Sequence, residues 1–188
     1  MISLLYEPLP ECIEADGREI PVLTDFRSWL KFLGLVGDKT LSAYDKLSIM
    51  QDWLIEPEPV TKPILDGLVW FCRGFDPVEK RPDDGAKAQQ RKPPTFDWDM
   101  DAPCVIADFR RFYQMDLLRT EYLHWWEFRA LFSALPPDSA TMQRVHLRSL
   151  DLSEIPNKKK RSEFARRQRE IALPFVLDDD DIAAAFDF

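Results

Sequence analysis

Side chains able to do chemistry are sparse in this chain of 188 residues. Its histidines are His124 and His146, and its cysteines are Cys12, Cys72 and Cys104. A zinc site needs three or four such ligands, normally at short regular spacing. No pair here has that spacing, and the two histidines fall on different predicted helices, so no metal ligand is assigned. A cysteine nucleophile needs a base and surroundings that favour the thiolate. Cys72 follows Phe71 and Cys104 precedes Val105 and Ile106, so both read as small core residues. There is no GxSxG, no phosphate-binding glycine loop and no dinucleotide fingerprint, and six glycines leave little material for one. The triplet Asp97, Asp99, Asp101 invites a cation-site reading, but helix capping and dipole complementarity explain it more simply. His124, beside Trp125 and Trp126, reads as an N-terminal helix residue with a satisfied ring N–H rather than as a reactive group. No catalytic residue, metal or cofactor is expected, and the chain reads as a non-enzyme.

The elements that carry these residues centre on the stretch from Phe96 to Pro137, the most aromatic in the chain. It reads as a helical hairpin packed on itself. Asp97 or Asp99 caps its first helix, which starts near Asp99 to Asp101 because Pro103 is tolerated only in a first turn. Ala102, Val105, Ile106, Phe109, Phe112 and Tyr113 form its apolar stripe, with Asp108, Arg110 and Arg111 facing away. The second helix is expected from Thr120 or Glu121, burying Trp125, Phe128, Leu131, Phe132 and Leu135 until Pro136-Pro137 stops it.

Before the hairpin, Asp16-Gly17 marks a turn between two short strands over Cys12 to Leu23. An isolated ribbon is marginal, so it must pack on a helix. Thr24 or Asp25 caps a helix bearing Phe26, Trp29, Leu30 and Leu33, ending at Gly34 or Gly37. A second helix covers Leu41 to Ile55, with Leu41, Tyr44, Leu47, Ile49 and Met50, then Trp53 and Leu54, apolar. A third has Pro63 in its first turn and finishes at Gly74. After Pro137, Ser139 caps a further helix to about Arg148, and Asn157 to Glu170 reads as a basic, solvent-exposed helix.

The expected fold is therefore mainly α, a multi-helix domain with a small N-terminal β-hairpin. Its divisions are 1–75, the hairpin and three helices; 76–95, a flexible linker; 96–156, the aromatic hairpin and following helix, packed with the N-terminal unit; 157–174, the basic helix; and 175–188, an acidic disordered tail. Hydrophobic content of 45% supports a sizeable core, and no apolar run reaches transmembrane length. The start, MISLLYEPLPE, lacks a basic region and long apolar run, so it does not read as a signal peptide. Three widely spaced cysteines suit a reducing compartment. A net charge of -8 argues against general nucleic-acid binding, which draws on Lys and Arg. The run from Lys158 to Arg169 is the exception, and it lacks the interleaved aromatics of a stacking platform.

FDWDMDAPCVIADFRRFYQMDL followed by LHWWEFRALFSALP resembles the central motif of the bacteriophage gene-product-fifteen family. The resemblance extends to GREIPVLTDFRSWLKF, where Thr24 to Arg27 are most specific, and to Arg148, Asp151, Leu152 and the basic helix. Met115 and the acidic tail depart from the family pattern. The resemblance implies a protein of the tail gene module in siphophages and prophages of Gram-positive bacteria, without enzymatic activity. The family's gene position, between the major tail protein and the tape-measure protein, implies by resemblance a tail-assembly chaperone, acting in the host cytoplasm and binding the tape-measure protein or another tail protein. Alternatives are a structural component of the virion neck or tail and, more weakly, a nucleic-acid-binding accessory. A homo-oligomer is left open, and no membrane contact is expected. The expected partner-contact residues are Tyr122 and Trp126 near the hairpin and Ile182, Phe186 and Phe188 in the tail.

Overall fold

A computed structural model describes residues 6–75 and 95–173. The expected linker, apart from Thr95, and the expected acidic tail lie outside the described residues. The described chain is mainly α-helical with one two-stranded sheet, and it divides into two compact units. One unit takes described residues 6–75 and 121–133, and the other takes 95–120 and 134–173.

The first unit begins with the antiparallel hairpin β1 (Cys12–Ala15) and β2 (Arg18–Pro21). Asp16 and Gly17 both adopt positive φ, 51° and 73°, as a two-residue turn between right-twisted strands demands. Ile13 and Ile20 pair across the ribbon and are both buried. The helices α1 (Phe26–Gly37), α2 (Ala43–Met50) and α3 (Lys62–Arg73) follow, and α5 (Trp125–Ser133) completes the unit. Asp25 caps α1, Ser42 and Asp45 form a capping box on α2, and Pro63 occupies the first turn of α3. The ribbon packs on α3 at Gly67, where a Cβ would lie 3.0 Å from Ile13 side-chain atoms. The core is aromatic. Phe26 stacks on Phe128 at 4.8 Å between centroids, Trp29 on Phe71 at 4.7 Å, and Trp53 meets Phe32 edge-on at 5.4 Å.

One helix departs from expectation. The apolar stripe assigned to α2 includes Tyr44 and Ile49, yet both are exposed, while Lys46 and Met50 are buried. Lys46 turns inward because its ammonium donates to the Val36 carbonyl at 2.6 Å, near the end of α1 where carbonyls lack intrahelical partners.

The second unit contains α4 (Trp98–Tyr113), α6 (Ala140–Ser149) and α7 (Lys158–Glu170). Asp97 caps α4 by accepting the Asp99 and Met100 N–H groups. The helix thus starts earlier than the sequence suggests, and Pro103 lies inside it on the exposed side. Two further corrections concern its carboxylates. Asp108, expected to face away from the apolar stripe, is buried, and its oxygens accept the Ala140 and Thr141 N–H groups at 2.9 and 2.8 Å. It caps α6 together with Ser139. Asp101 does more than complement a dipole. Fully buried, it is forked by Arg148 and also accepts from Arg144 at 3.0 Å. Arg148 further donates to the carbonyls of Thr95 and Ile171, tying the approach to α4, α6 and the end of α7 to one guanidinium. The α4 C-terminus closes at Gln114, in left-handed conformation with φ 53°, and Asp116 then organises the turn by accepting the Leu118 N–H and the Arg110 guanidinium.

The sequence reading pairs α4 with α5 as a hairpin. In the structure they belong to different units: α4 packs with α6, and α5 packs with α1. The reason lies in their polar groups. The buried carboxylates of α4 find their partners on α6, whereas the aromatics of α5 find theirs in the first unit.

Removing one member of a buried, hydrogen-bonded ion pair costs about 3–5 kcal/mol, because the other charge is left unpaired. The variant Asp101→Ala is therefore expected to lose stability on that scale in urea unfolding. Burial opposes the Asp101 charge, but hydrogen bonds from Arg148, the Asp97 N–H and Arg144 outweigh it and hold the carboxyl below its usual range. Its contribution is present above the ordinary value of 3.8 and is lost as pH falls below it.

Candidate functional site

The signature residues of the first unit meet at one joint. The segment 24–26 runs antiparallel to 123–125: the Phe26 N–H donates to Leu123 O at 2.9 Å and the Trp125 N–H to Thr24 O at 2.8 Å. Asp25 also accepts the Arg27 N–H, and the Tyr122 hydroxyl bonds Thr24 Oγ1 at 2.8 Å. This joint aims the start of α5 at the end of α3. The Trp126 indole donates to Phe71 O and the Trp125 indole to Cys72 O, both at 2.9 Å. Arg129 donates to Cys72 O and Arg73 O. Gly74, at φ 61°, returns its N–H to Trp70 O and Phe71 O. The final carbonyls of α3, which no intrahelical donor reaches, are thus all satisfied.

His124 locks the other side. Its Nε2 lies 3.0 Å from the Pro10 carbonyl, which only accepts, so Nε2 carries the proton. Nδ1 is then free to accept the Trp126 N–H at 3.1 Å, serving the start of α5. The ring is neutral, and burial holds its pKa below the usual value, against the opposing pull of the Pro10 carbonyl, Glu127 and Glu11. Cys72 is equally unreactive: burial pushes its thiol up to about 12, despite nearby Arg129 and Arg73. Among the described residues no group of three or more His, Cys, Asp or Glu is arranged to hold a metal ion. The His124 ring holds backbone groups instead.

Of the expected contact residues, Tyr122 is 56% exposed, but Trp126 is buried. The Trp126 indole is consumed at the α3 terminus. Ile182, Phe186 and Phe188 lie outside the described residues. Sequence reasoning missed Tyr44 and Ile49, which are 80% and 38% exposed on α2. The sequence suggests a helix to Ile55, but α2 ends at Met50, and eight residues of helix bury only one narrow face, too narrow for the whole assigned stripe. It also missed an open cleft of about 1220 Å³ bounded by residues 8–19 and by α3, with Trp70 40% exposed at its wall.

No helix among the described residues is long and apolar enough to cross a membrane.

The neutral His124 makes a pH prediction. Its folded pKa lies below the unfolded value of 6.5, so its contribution is complete above that pH and is lost as pH falls. Urea unfolding between pH 7.5 and 5 is expected to show stability falling with pH, a slope reduced in His124→Gln. An unchanged slope would contradict the neutral assignment.

The search of curated proteins and the search of solved structures each give no match. The family comparison matches residues 5–173 to the family described as Bacteriophage Gp15 protein. That span includes the joint at 24–26 and 123–125, the Asp101–Arg148 pair and the basic helix α7, nearly the whole chain. The chain therefore belongs to the bacteriophage Gp15 family and is a phage structural or assembly protein.

Proposed function

We propose that this protein is a non-enzymatic tail-assembly chaperone that covers the phage tape-measure protein in the host cytoplasm until tail-tube subunits replace it. Membership of the Gp15 family supports a role in phage structure or assembly. The observation that carries the finer reading is the inversion of α2. That helix buries a lysine and presents a tyrosine and an isoleucine to solvent. Exposed apolar side chains on a helix whose lysine is buried are surface that a partner can cover. A tape measure is a long helical protein whose apolar faces need temporary cover, and exposed apolar side chains on a partner helix can supply it. The capping box of Ser42 and Asp45 and the Lys46 bond to Val36 O hold α2 in place without Tyr44 or Ile49, which leaves both available to a partner.

Co-expression with the tape-measure protein encoded beside it tests the reading. The tape measure is expected to become soluble and co-purify. The double variant Tyr44→Ser, Ile49→Ser is expected to reduce binding by about tenfold or more, a loss of about 1.4 kcal/mol, with an unchanged unfolding transition. A tape measure that stays insoluble, or one rescued equally by the double variant, would count against it. Recovery of the protein in purified particles would point to a virion component instead.

A further inference from the structure

The cleft on the first unit and the helix α7 on the second carry opposite charge. The cleft is lined by Glu11, Glu14, Asp16, Glu19 and Asp66, the last paired with Lys62 at 3.0 Å, against a single lining guanidinium, Arg18. That guanidinium is already engaged by Glu58 at 3.2 Å. Glu14 and Glu19 stand directly opposite each other across the hairpin. Like charges in that register repel, so the ribbon holds an arrangement that a cation would relieve. The negative field reaches neighbouring groups: burial, with Glu19 and Glu11 beside it, pushes the Cys12 thiol up. Between the carboxylates lie Pro8, Pro10, Pro63 and the exposed part of Trp70, apolar surface on which an arginine can stack.

The complementary surface is on the same chain. The helix α7 reads KKKRSEFARRQRE and has no buried residue. Its inner side is held by Gln168, which donates to Leu147 O and Leu150 O, both at 2.8 Å, with Phe164 and Ala165 partly covered beside it. Lys158, Lys159, Lys160, Arg166, Arg167 and Arg169 are all exposed. Glu163 and Glu170 pair with Arg167 and Arg166, which leaves the lysines at its start without a carboxylate in these intrahelical pairs. Thirteen residues of helix span about 20 Å.

We propose that α7 of one copy docks in the acidic cleft of a second copy, so that the protein self-associates through two unlike surfaces. Lysines and arginines of α7 settle between Glu14 and Glu19 and beside Glu11, and an arginine covers Trp70. The contact joins a basic face to an acidic one, so it is sensitive to salt and gains in association rate as well as affinity. In a chain of net charge -8, general self-repulsion opposes association, and a local match of this kind offsets it. The inference does not depend on the tape-measure reading and uses a different surface from α2.

The test is sedimentation velocity on the full chain over a concentration series. The weight-average mass is expected to rise with concentration at low ionic strength, and to fall to the monomer value near 1 M salt, where the screening length is only about 3 Å. The double variant Glu14→Lys, Glu19→Lys and the triple variant Lys158→Glu, Lys159→Glu, Arg166→Glu are each expected to weaken association by about tenfold or more. All five positions are exposed, so folding is expected to survive, as circular dichroism would check. Mixing the two variants should restore association, because the first keeps the basic α7 and the second keeps the acidic cleft. A synthetic peptide of residues 157–171 should compete with the wild-type contact. A monomer at every concentration, reversals without effect, or folded variants that fail to associate when mixed would each overturn the proposal.

Discussion

Two backbone hydrogen bonds, Phe26 N–H to Leu123 O and Trp125 N–H to Thr24 O, hold the first unit together. They join residues 97 and 101 positions apart in sequence, and closing so long a loop is entropically unfavourable. The joint therefore depends on what it brings into place. It delivers Phe128 onto Phe26, the indoles of Trp125 and Trp126 onto the α3 carbonyls, and His124 onto Pro10 O. Each buried carbonyl left without a donor costs about 1–3 kcal/mol. Several would be orphaned together if the joint opened. The Leu-His-Trp-Trp sequence is thus a device for terminating one helix and starting another.

The second unit solves the same problem with charge in place of aromatic N–H groups. Asp101 is buried with Arg144 and Arg148, and Arg148 extends the network to two carbonyls. Buried ion pairs add little net stability compared with apolar packing, but their geometry is demanding. Here that geometry fixes how α4, α6 and α7 meet. Asp108 adds a second fixed point by capping α6 from within α4. With the polar interior spent on the fold, the outside stays open, including Tyr44 and Ile49 on α2, the acidic cleft and the basic face of α7.

Local features were legible in the sequence because their causes are local. Asp16-Gly17 makes a turn wherever it stands between strands, Asp25 and Ser139 cap the helices that follow them, and Pro63 and Gly74 bracket α3. The basic helix was legible from composition. Long-range partners were not. Periodicity marks the apolar face of α4 but does not say what covers it, so α5 was the natural candidate and α6 the actual partner. Asp108 reads as solvent-facing until the unpaired N–H groups at the start of α6 are seen beside it. Trp126 reads as a contact residue for the same reason: nothing in its neighbours announces the Phe71 carbonyl. The cleft is equally hidden, since its carboxylates come from the hairpin and from α3.

Native-state hydrogen exchange at the amides of Phe26 and Trp125 tests the joint most directly. If the joint holds the unit, both amides should exchange only through global unfolding, with the same opening free energy as the buried amides of α3 and the same response to denaturant. Exchange at the rate of a fraying loop, while α1 and α3 stay protected, would contradict the account and place the constraint elsewhere in the aromatic core.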